Sequence, residues 1–541
     1  VVAPHGAGDV SEPSRLPARR DHEPLRDTTV GGLLRDAAAV APHRDALVWC
    51  TAERGVVARW SYASWLAEAE AVADALLERF SPGERIALWA PNRPEWLFVQ
   101  FGAALAGMVL VTMNPAYRAF EARNVLRRAR PAGIVVAGES RGNPLRAMVD
   151  ELVPDLPDVR RVLDLDDWSS WVGARAPDRR VPLPEVGPDD PVQIQFTSGT
   201  TGEPKGAVLT HRGMSNVPRI ATEAFGLPEH PVWVNAMPMF HVGGCGLSTI
   251  GPMSTTGTQL LLDRFDPATV LALVERERAN FLGGVPTMLL ALLEHPDFAR
   301  RDLSSLDVVL SGGSAVAPEL VSHIERALGV RFLVAYGQTE VHGHVCQTRP
   351  DDSPEDKAGT IGVPLSFAEM QVIDPATRTP VPRGEVGEIC VRHGALMAGY
   401  FDAPEATSAT IDDEGWLHTG DLGVMDERGY LRFTGRLKEL IVRGGENIHP
   451  REIEDVLFLH AAVAEAAVIG VPDERWGEEV AAFVRLHHDC AVSTDELREH
   501  VRSHLAPHKA PVHWRFVDAM PLNSSGKVQK ASLAEWFGAA R

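Results

Sequence analysis

The chain is 541 residues long, yet no apolar run in it reaches the length of a membrane span, so a transmembrane helix is not expected. No two cysteines form a C-x-x-C pair. Its five cysteines, Cys50, Cys245, Cys346, Cys390 and Cys490, are widely scattered. That pattern indicates neither a zinc site nor a disulfide framework and fits reduced thiols in the cytoplasm. A lysine-rich cluster is also missing. The balance of 53 Lys+Arg against 73 Asp+Glu leaves a formal charge of −20, which argues against nucleic acid as a partner. The N-terminal stretch lacks the apolar segment of a signal peptide. Residues 1–24, rich in Pro, Arg and Asp, are expected to be a mobile tail. No internal repeat is visible. The length itself exceeds what one core supports and implies two or more domains.

From about Thr28 the chain alternates strand and helix. Arg85–Ala90, Met108–Met113 and Gly133–Ala137 read as strands; Arg93–Gly107 and Glu121–Arg130 read as helices, with Pro94 suited to a first helical position. The alternation resumes at Val232–Ala236, Gln259–Leu262, Phe281–Gly284, Val308–Ser311 and Arg331–Ala335. Strands alternating with helices predict parallel sheets covered by helices. After Thr360 the pattern changes to short strands between turns, at Glu369–Val372, Gly387–Val391 and Tyr430–Phe433, as in a small antiparallel barrel or sheet. A further unit begins near Gly435. His449-Pro450 opens a helix with Ile453, Val456 and Leu457 on one face, Glu465–Val471 is a strand, and Ser493 and Glu496 have capping-box spacing before the stripe Leu497, Val501, Leu505. The fold expected is therefore α/β: a large N-terminal domain (25–434) of parallel α/β sheets plus a small β-barrel, a short join (435–438), and a small mobile α+β C-terminal domain (439–541).

The densest chemistry lies at Thr197-Ser-Gly-Thr-Thr-Gly-Glu-Pro-Lys-Gly206, just after the strand-like Val192–Phe196. Glycines let a backbone turn tightly and bring its N–H groups near a ligand. Hydroxyls and a lysine add donors and charge, so the loop is suited to phosphate oxygens. It is not a Walker A loop, because Lys205 is followed by Gly206 and the spacing G-x-x-x-x-G-K-[ST] is absent. A loop of this composition alone is equally compatible with a solvated connector; the order of its residues is the more specific signal.

Five further segments follow in order: Met237-Pro-Met-Phe-His241; Ser311-Gly-Gly-Ser314; Tyr336-Gly-Gln-Thr-Glu340; Gly415-Trp-Leu-His-Thr-Gly-Asp421, running on to Gly435-Arg-Leu-Lys438 and Arg443-Gly-Gly-Glu-Asn-Ile-His-Pro450; and Pro521-Leu-Asn-Ser-Ser-Gly-Lys527. Together with the loop they resemble the motif set of the adenylate-forming superfamily: acyl-CoA synthetases, non-ribosomal peptide adenylation domains and beetle luciferases. The region from Gly444 to Lys530, with Val285-Pro-Thr-Met288 and His295-Pro-Asp-Phe298, looks most like medium-chain fatty acyl-CoA synthetases.

The resemblance implies an AMP-forming ligase that attacks ATP with a carboxylate to give an acyl adenylate and pyrophosphate, then transfers the acyl group to coenzyme A. Thr197, Ser198, Gly199, Thr200, Thr201 and Lys205 would hold the β- and γ-phosphates. Glu340 would hold Mg²⁺, a hard cation that favours carboxylate oxygen, and Thr339 would contact the α-phosphate. Gly312, Gly313, Ser314, Tyr336 and Gly337 would form the adenine slot, with Asp421 and Arg436 on the ribose. Lys527 would bridge carboxylate and α-phosphate during adenylation, its point charge on a flexible stem suiting a residue that must arrive and leave. The C-terminal domain would then rotate about Lys438, bring Gly444 and Gly445 to the pantetheine path, and let His241 swing aside for the thiol. Partners would be a small carboxylic acid, ATP and coenzyme A, in a monomer or homodimer.

One segment departs from the pattern. After Glu340 the chain reads Val341-His342-Gly343-His344-Val345, where fatty acyl-CoA synthetases usually have small residues and a proline. This stretch would border the acyl pocket, with His241, and a buried imidazole is costly unless paired. Either both rings are satisfied elsewhere, or they serve a polar, aromatic or unusually small substrate, and a non-carboxylate oxyanion such as nitrite comes into view. No third ligand stands nearby, so zinc is not expected. An adenylating enzyme with another acceptor, an amine or a carrier-protein thiol, shares every adenylation motif. An inactive binding protein would not be expected to keep Lys205, Glu340, Asp421, Arg436 and Lys527.

Overall fold

The computed structural model describes residues 12–19, 25–173, 181–197, 204–312, 316, 318–444, 446–473, 475–488, 490–522 and 528–536. They form a mixed α/β structure of two compact units.

The larger unit comprises Pro17–Glu369 and Arg392–Leu417 and contains two sheets. In the first, strands Arg331–Tyr336, Val308–Gly312, Phe281–Gly284, Val232–Asn235, Thr258–Leu262 and Asp45–Thr51 lie side by side and parallel. Antiparallel strands close both edges: Gly55–Ser61 at one, Cys346–Gln347 and Val363–Pro364 at the other. In the second sheet Pro191–Thr197, Val109–Met113, Arg85–Trp89, Gly133–Val136 and Arg161–Asp164 are parallel. Lys205–Thr210 and Gly399–Tyr400 add antiparallel strands beside Pro191–Thr197. The strands expected from alternation are thus present and mainly parallel, and the antiparallel edges are the departure. Parallel strands covered on both faces read as continuous apolar runs, and all five residues of Val109–Met113 are buried. Helix Pro94–Leu105 is buried nearly all round, through Trp96, Leu97, Phe98 and Phe101, as expected of a helix apolar on every face. Pro94 occupies its first turn.

The smaller unit gathers Met370–Val391 and His418–Arg541 with the start of the chain. One sheet is antiparallel, in the order Arg15–Leu16, Glu369–Ile373, Val386–Arg392, Leu417–Met425, Leu431–Arg436. The other runs Glu446–Ile448, Ile441–Arg443, Gly477–Leu486, Val463–Asp473, and His513–Phe516 joins Gly477–Leu486 in parallel. Its core is built on Ile453 and Leu457 of helix Pro450–Phe458 and Leu497 and Val501 of helix Thr494–His504, the stripes that helical spacing predicted. The cut expected at 435–438 falls inside this unit. A mobile tail through residue 24 does not hold at Arg15–Leu16, which pair with Gln371 and Met370 while Ser14 is fully buried. Two residues of strand carry too short a pattern to read, and their partner lies more than 350 positions away.

Cys50, Cys245, Cys346 and Cys390 are buried and Cys490 is exposed, and none of the five forms a disulfide. Among the described residues no helix is long and apolar enough to cross a membrane.

Candidate functional site

In open α/β sheets ligands bind beyond the carboxyl ends of parallel strands, where backbone groups and loops converge. Here the ends of adjacent strands deliver Asn235, from which the chain continues to Met237 and His241, then Gly284, Gly312 and Tyr336. Gly312 pairs with Ala335, so the first residue of the expected adenine slot stands beside Tyr336. Gly313 and Ser314 lie outside the described residues.

After Tyr336 the backbone reverses through Gly337-Gln338 and a single 3-10 turn, Thr339–Val341, before returning as strand Cys346–Gln347. Two glycines make this reversal possible. A Cβ on Gly337 would lie 2.5 Å from the Gly343 carbonyl oxygen, and Gly343 takes a φ of +96°, which side chains disfavour. The Gly343 N–H donates to the Gln338 carbonyl. The reversal buries Thr339 and Glu340, each 8% exposed. A Cβ on Gly343 would also lie 2.9 Å from Val242 Cγ1, so the turn abuts the loop that carries His241.

The phosphate loop begins and ends in register. Thr197 pairs with Lys205 across the strands Pro191–Thr197 and Lys205–Thr210, and the Thr197 hydroxyl donates to the Lys205 carbonyl at 3.4 Å. Ser198, Gly199, Thr200 and Thr201, between them, lie outside the described residues. The Lys205 ammonium lies over the ring of Tyr400, 5.2 Å from its centre. The Tyr400 hydroxyl donates to Glu340 Oε1 at 2.8 Å. Sequence reasoning missed Tyr400. Its signal is faint, one tyrosine in the two-residue strand Gly399–Tyr400. Burial first, then the negative Glu340, pushes the Tyr400 phenol well above its usual titration range, so it keeps its proton and remains a donor.

The residues expected to hold a divalent cation fit one. Glu340 offers a hard oxygen donor, one of its oxygens is fixed by Tyr400, and Oε2 takes no hydrogen bond among the described residues.

His241 opens a rare local geometry. Its Nδ1 accepts from the Gly243 N–H at 3.1 Å, and Gly243–Leu247 forms a π-turn, a feature often found at functional sites. Gln195, from the strand that enters the phosphate loop, accepts from the Val242 N–H at 3.0 Å.

The two histidines after Glu340 turn into protein. His342 is 2% exposed. Its Nε2 accepts from the Thr210 N–H at 3.2 Å, and its ring fills the space above Gly213, where a Cβ would sit 2.2 Å from the imidazole. Burial pushes its pKa down to about 3, opposed by the nearby Ala395 main chain; Nδ1 nevertheless lacks a well-formed hydrogen bond among the described residues. His344 is 1% exposed, lies 6.0 Å from the Phe225 ring, and is pushed down to about 4 by burial, with Gln347 as its polar neighbour. Val341 is buried as well. Both imidazoles are therefore neutral.

In the smaller unit Asp421 and Arg436 are direct cross-strand partners, with Arg436 Nε 3.2 Å from Asp421 Oδ1 and Asp421 buried. They are fifteen positions apart in the sequence; the register of the hairpin brings them together. Lys438 is exposed, yet partial burial of its ammonium and then Arg436 lower its pKa. Gly444 has a φ of +60°, and a Cβ there would lie 2.8 Å from Trp476 Cε3. Its N–H donates to the Trp476 carbonyl at 2.7 Å. Gly445 and Lys527 lie outside the described residues.

The small apolar cavity lined by Val270, Leu282, Leu289, Phe298, Leu306 and Val309 has a volume of about 20 Å³. That is room for a water molecule at most, so it is a packing void and not an acid site.

Comparison with known proteins adds an independent line. The family described as AMP-binding enzyme matches residues 34–401, and its C-terminal domain family matches residues 452–527. The chain is 37% identical to the acyl-CoA synthetase YngI of Bacillus subtilis, over 94% of this chain and 97% of that one. It is 33% identical to the mitochondrial medium-chain acyl-CoA ligase ACSF2 of Rattus norvegicus, over 94% and 88%. Among solved structures, ATP-bound MatB from Rhodopseudomonas palustris superposes with a TM-score of 0.85 at 29% identity, covering 94% of this chain and 99% of that one.

Proposed function

The chain belongs to the AMP-binding enzymes and is an ATP-dependent acid–CoA ligase, and we propose how its residues divide that work and which acids it takes. The observation that supports the reading is the chain of contacts Lys205–Tyr400–Glu340, in which one tyrosine touches both the lysine assigned here to phosphate and the carboxylate assigned here to the metal.

A carboxylate is a poor electrophile. Adenylation makes it a good one, provided the site holds two anions together and stabilises charge on the phosphate oxygens with preorganised donors. In this reading Thr197, Lys205 and the hydroxyls of Ser198, Thr200 and Thr201 bind the β- and γ-phosphates, and Thr339 contacts the α-phosphate. Glu340 holds Mg²⁺, which when bound neutralises phosphate charge. Gly312, Gly313, Ser314 and Tyr336 receive adenine; Asp421 accepts from the ribose hydroxyls while Arg436 holds its carboxylate in place. Lys527 bridges carboxylate and α-phosphate.

Lysine usage supports the assignment. The chain has only six lysines. Lys357, Lys509 and Lys530 are each held in ion pairs, with Glu325, Glu452 and Glu454. The other three are Lys205, Lys438 and Lys527. At Lys205 and Lys527 a chain that otherwise relies on arginine keeps the compact ammonium that suits phosphate and carboxylate as a point charge. For the second step we propose rotation about Lys438, with Gly444 and Gly445 presenting side-chain-free backbone to the pantetheine and His241 gating the thiol.

The substrate class we favour is a medium-chain fatty acid or an aryl or polar acid. The engaged Nε2 of His342 supports a framework position for that ring and favours the apolar members of this class, while the two buried nitrogens of His344, which take no well-formed hydrogen bond among the described residues, keep the polar acids within it. A cytoplasmic site of action agrees with the free thiols. The test is product analysis. Enzyme, ATP, Mg²⁺ and a panel of acids should give AMP and pyrophosphate while free coenzyme A is consumed. Stoichiometric ADP would overturn the assignment; AMP without consumption of coenzyme A would indicate an amine or carrier-protein acceptor.

A further inference from the structure

Tyr400 reaches the site by a route independent of every residue placed there so far. Its backbone is a strand residue paired with Ala207, and its N–H donates to Thr407 Oγ1 at 2.8 Å. Thr407 belongs to helix Pro404–Thr410. The next residue, Phe401, donates its N–H to the Gly206 carbonyl, and Met397 donates to the Glu340 carbonyl at 2.9 Å. The segment 397–401 is thus laced to the strand that starts at Lys205 and to the turn that carries Glu340. From that base the ring lies beneath the Lys205 ammonium and the hydroxyl meets Glu340 Oε1.

Each contact has a separate physical consequence. A carboxylate with two equivalent oxygens can rotate and bind a cation in several ways. A donor on Oε1 removes that freedom and leaves Oε2 to face a ligand. Outer partners of this kind commonly contribute 10–100-fold to metal affinity. The aromatic face attracts the ammonium through its quadrupole, the more so where water is excluded, and holds the Lys205 ammonium in place without neutralising its charge. A carboxylate in the same place would hold the lysine more tightly but would cancel the charge that the phosphates need.

We propose that Tyr400 is a positioning residue that couples the two halves of the phosphate site, its hydroxyl setting the Glu340 carboxylate for a divalent cation and its ring presenting the Lys205 ammonium to the triphosphate. This rests on the reading of Glu340 as the metal-holding residue. The two contacts are separable by substitution. Tyr400→Phe removes the donor and keeps the ring; Tyr400→Leu removes both.

The experiment measures binding, without turnover. Mn²⁺ is titrated into the full-length protein saturated with a non-hydrolysable ATP analogue, and free Mn²⁺ is followed by electron paramagnetic resonance. Binding of the metal-free analogue is measured separately by calorimetry. Tyr400→Phe should weaken Mn²⁺ about tenfold and leave metal-free nucleotide binding as in wild type. Tyr400→Leu should weaken both. In a Glu340→Gln background, Tyr400→Phe should weaken Mn²⁺ no further, because the hydroxyl acts through that carboxylate. Wild-type Mn²⁺ affinity in Tyr400→Phe, together with weak binding in Glu340→Gln, overturns the proposal for the tyrosine alone. Wild-type Mn²⁺ affinity in Glu340→Gln overturns the underlying reading of the site. Equal weakening of metal and metal-free nucleotide in Tyr400→Phe would show a general structural role and also overturn the proposal. Should Tyr400→Phe fail to fold, 4-methylphenylalanine incorporated at position 400 keeps the ring without the donor and is read in the same way.

Discussion

Replacing Gly213 with alanine adds one methyl group at a helix position where alanine is ordinarily the better residue, and it should nevertheless damage this protein. Gly213 lies in the first turn of helix His211–Phe225, and its N–H donates to the cap, Thr210 Oγ1. The new Cβ would stand 2.2 Å from two atoms of the His342 ring and 2.5 Å from a third. The ring is 2% exposed and has nowhere to retreat. Overpacking of this kind costs about 1–3 kcal/mol. If the ring yields, the Thr210 N–H loses its acceptor, and a buried unpaired donor costs about 1–3 kcal/mol more. Against this, alanine gains up to about 1 kcal/mol in helix propensity, and less in a first turn. The clash wins, with a net loss of about 1–5 kcal/mol. His342 follows Glu340 by two residues, so the displaced ring should also disturb the carboxylate and slow adenylation. The assay is the denaturant midpoint, read alongside pyrophosphate release with the preferred acid. The double variant Gly213→Ala/His342→Ala gives a sharper reading, because the methyl then occupies space that the ring has left. It should be less destabilised than the sum of the single variants by about 1–3 kcal/mol. If Gly213→Ala keeps wild-type stability and rate, or if the two changes add, the packing of His342 on this helix is not as described and the argument fails.

Lys527→Ala should lower adenylation by about 10²–10³, by analogy with loss of one transition-state donor, while preformed acyl adenylate still reacts with coenzyme A; equal loss in both half-reactions would refute the two-step role. Lys438→Pro should form adenylate normally and transfer it slowly, because proline fixes the angle that a hinge must change; normal thioester turnover would move the pivot elsewhere. Acid should destabilise the fold through its buried imidazoles. Burial pushes His342 and His393 down to about 3 and His211 and His344 to about 4, from an ordinary value of 6.5. Between those limits the unfolded chain binds more protons, so stability is present above about pH 6.5 and is lost as pH falls toward 3, with a slope approaching about 1.4 kcal/mol per pH unit for each ring. The denaturant midpoint measured from pH 7 to 5 should fall accordingly, and a flat profile would show that these rings are not held neutral.

What could be read in the chain was whatever repeats locally. The strands at Arg85, Val232 and Phe281, the helix after Pro94 and the apolar stripes of the C-terminal helices announce themselves through periodicity and terminal residues, and their observed bounds differ from expectation by a residue or two. Non-local features did not announce themselves. Asp421 and Arg436 each belong to a recognisable motif, but their facing positions depend on a hairpin register with a shift between Leu422 and Gly423. For His342 the sequence left two readings open, a ring satisfied within the protein or one serving a polar substrate. Its actual acceptor role depends on Thr210 and on the missing side chain of Gly213, more than 120 positions earlier. Tyr400 was overlooked because a two-residue strand has no period to detect, and its importance comes only from what it touches.

The distribution of thiols has a practical corollary. With Cys490 at the surface and Cys50, Cys245, Cys346 and Cys390 enclosed, a maleimide probe added to the native protein should find a single address, near the end of strand Gly477–Leu486. Burial pushes the Cys245 thiol up to about 12, opposed by Gln193, Gln195 and its own main chain, which makes it still slower to react, since the thiolate is the nucleophile. The unmodified protein therefore carries its own labelling handle in the part of the chain proposed to swing between half-reactions. A fluorophore there would report that motion directly, and the later appearance of further reactive thiols would time the opening of the interior.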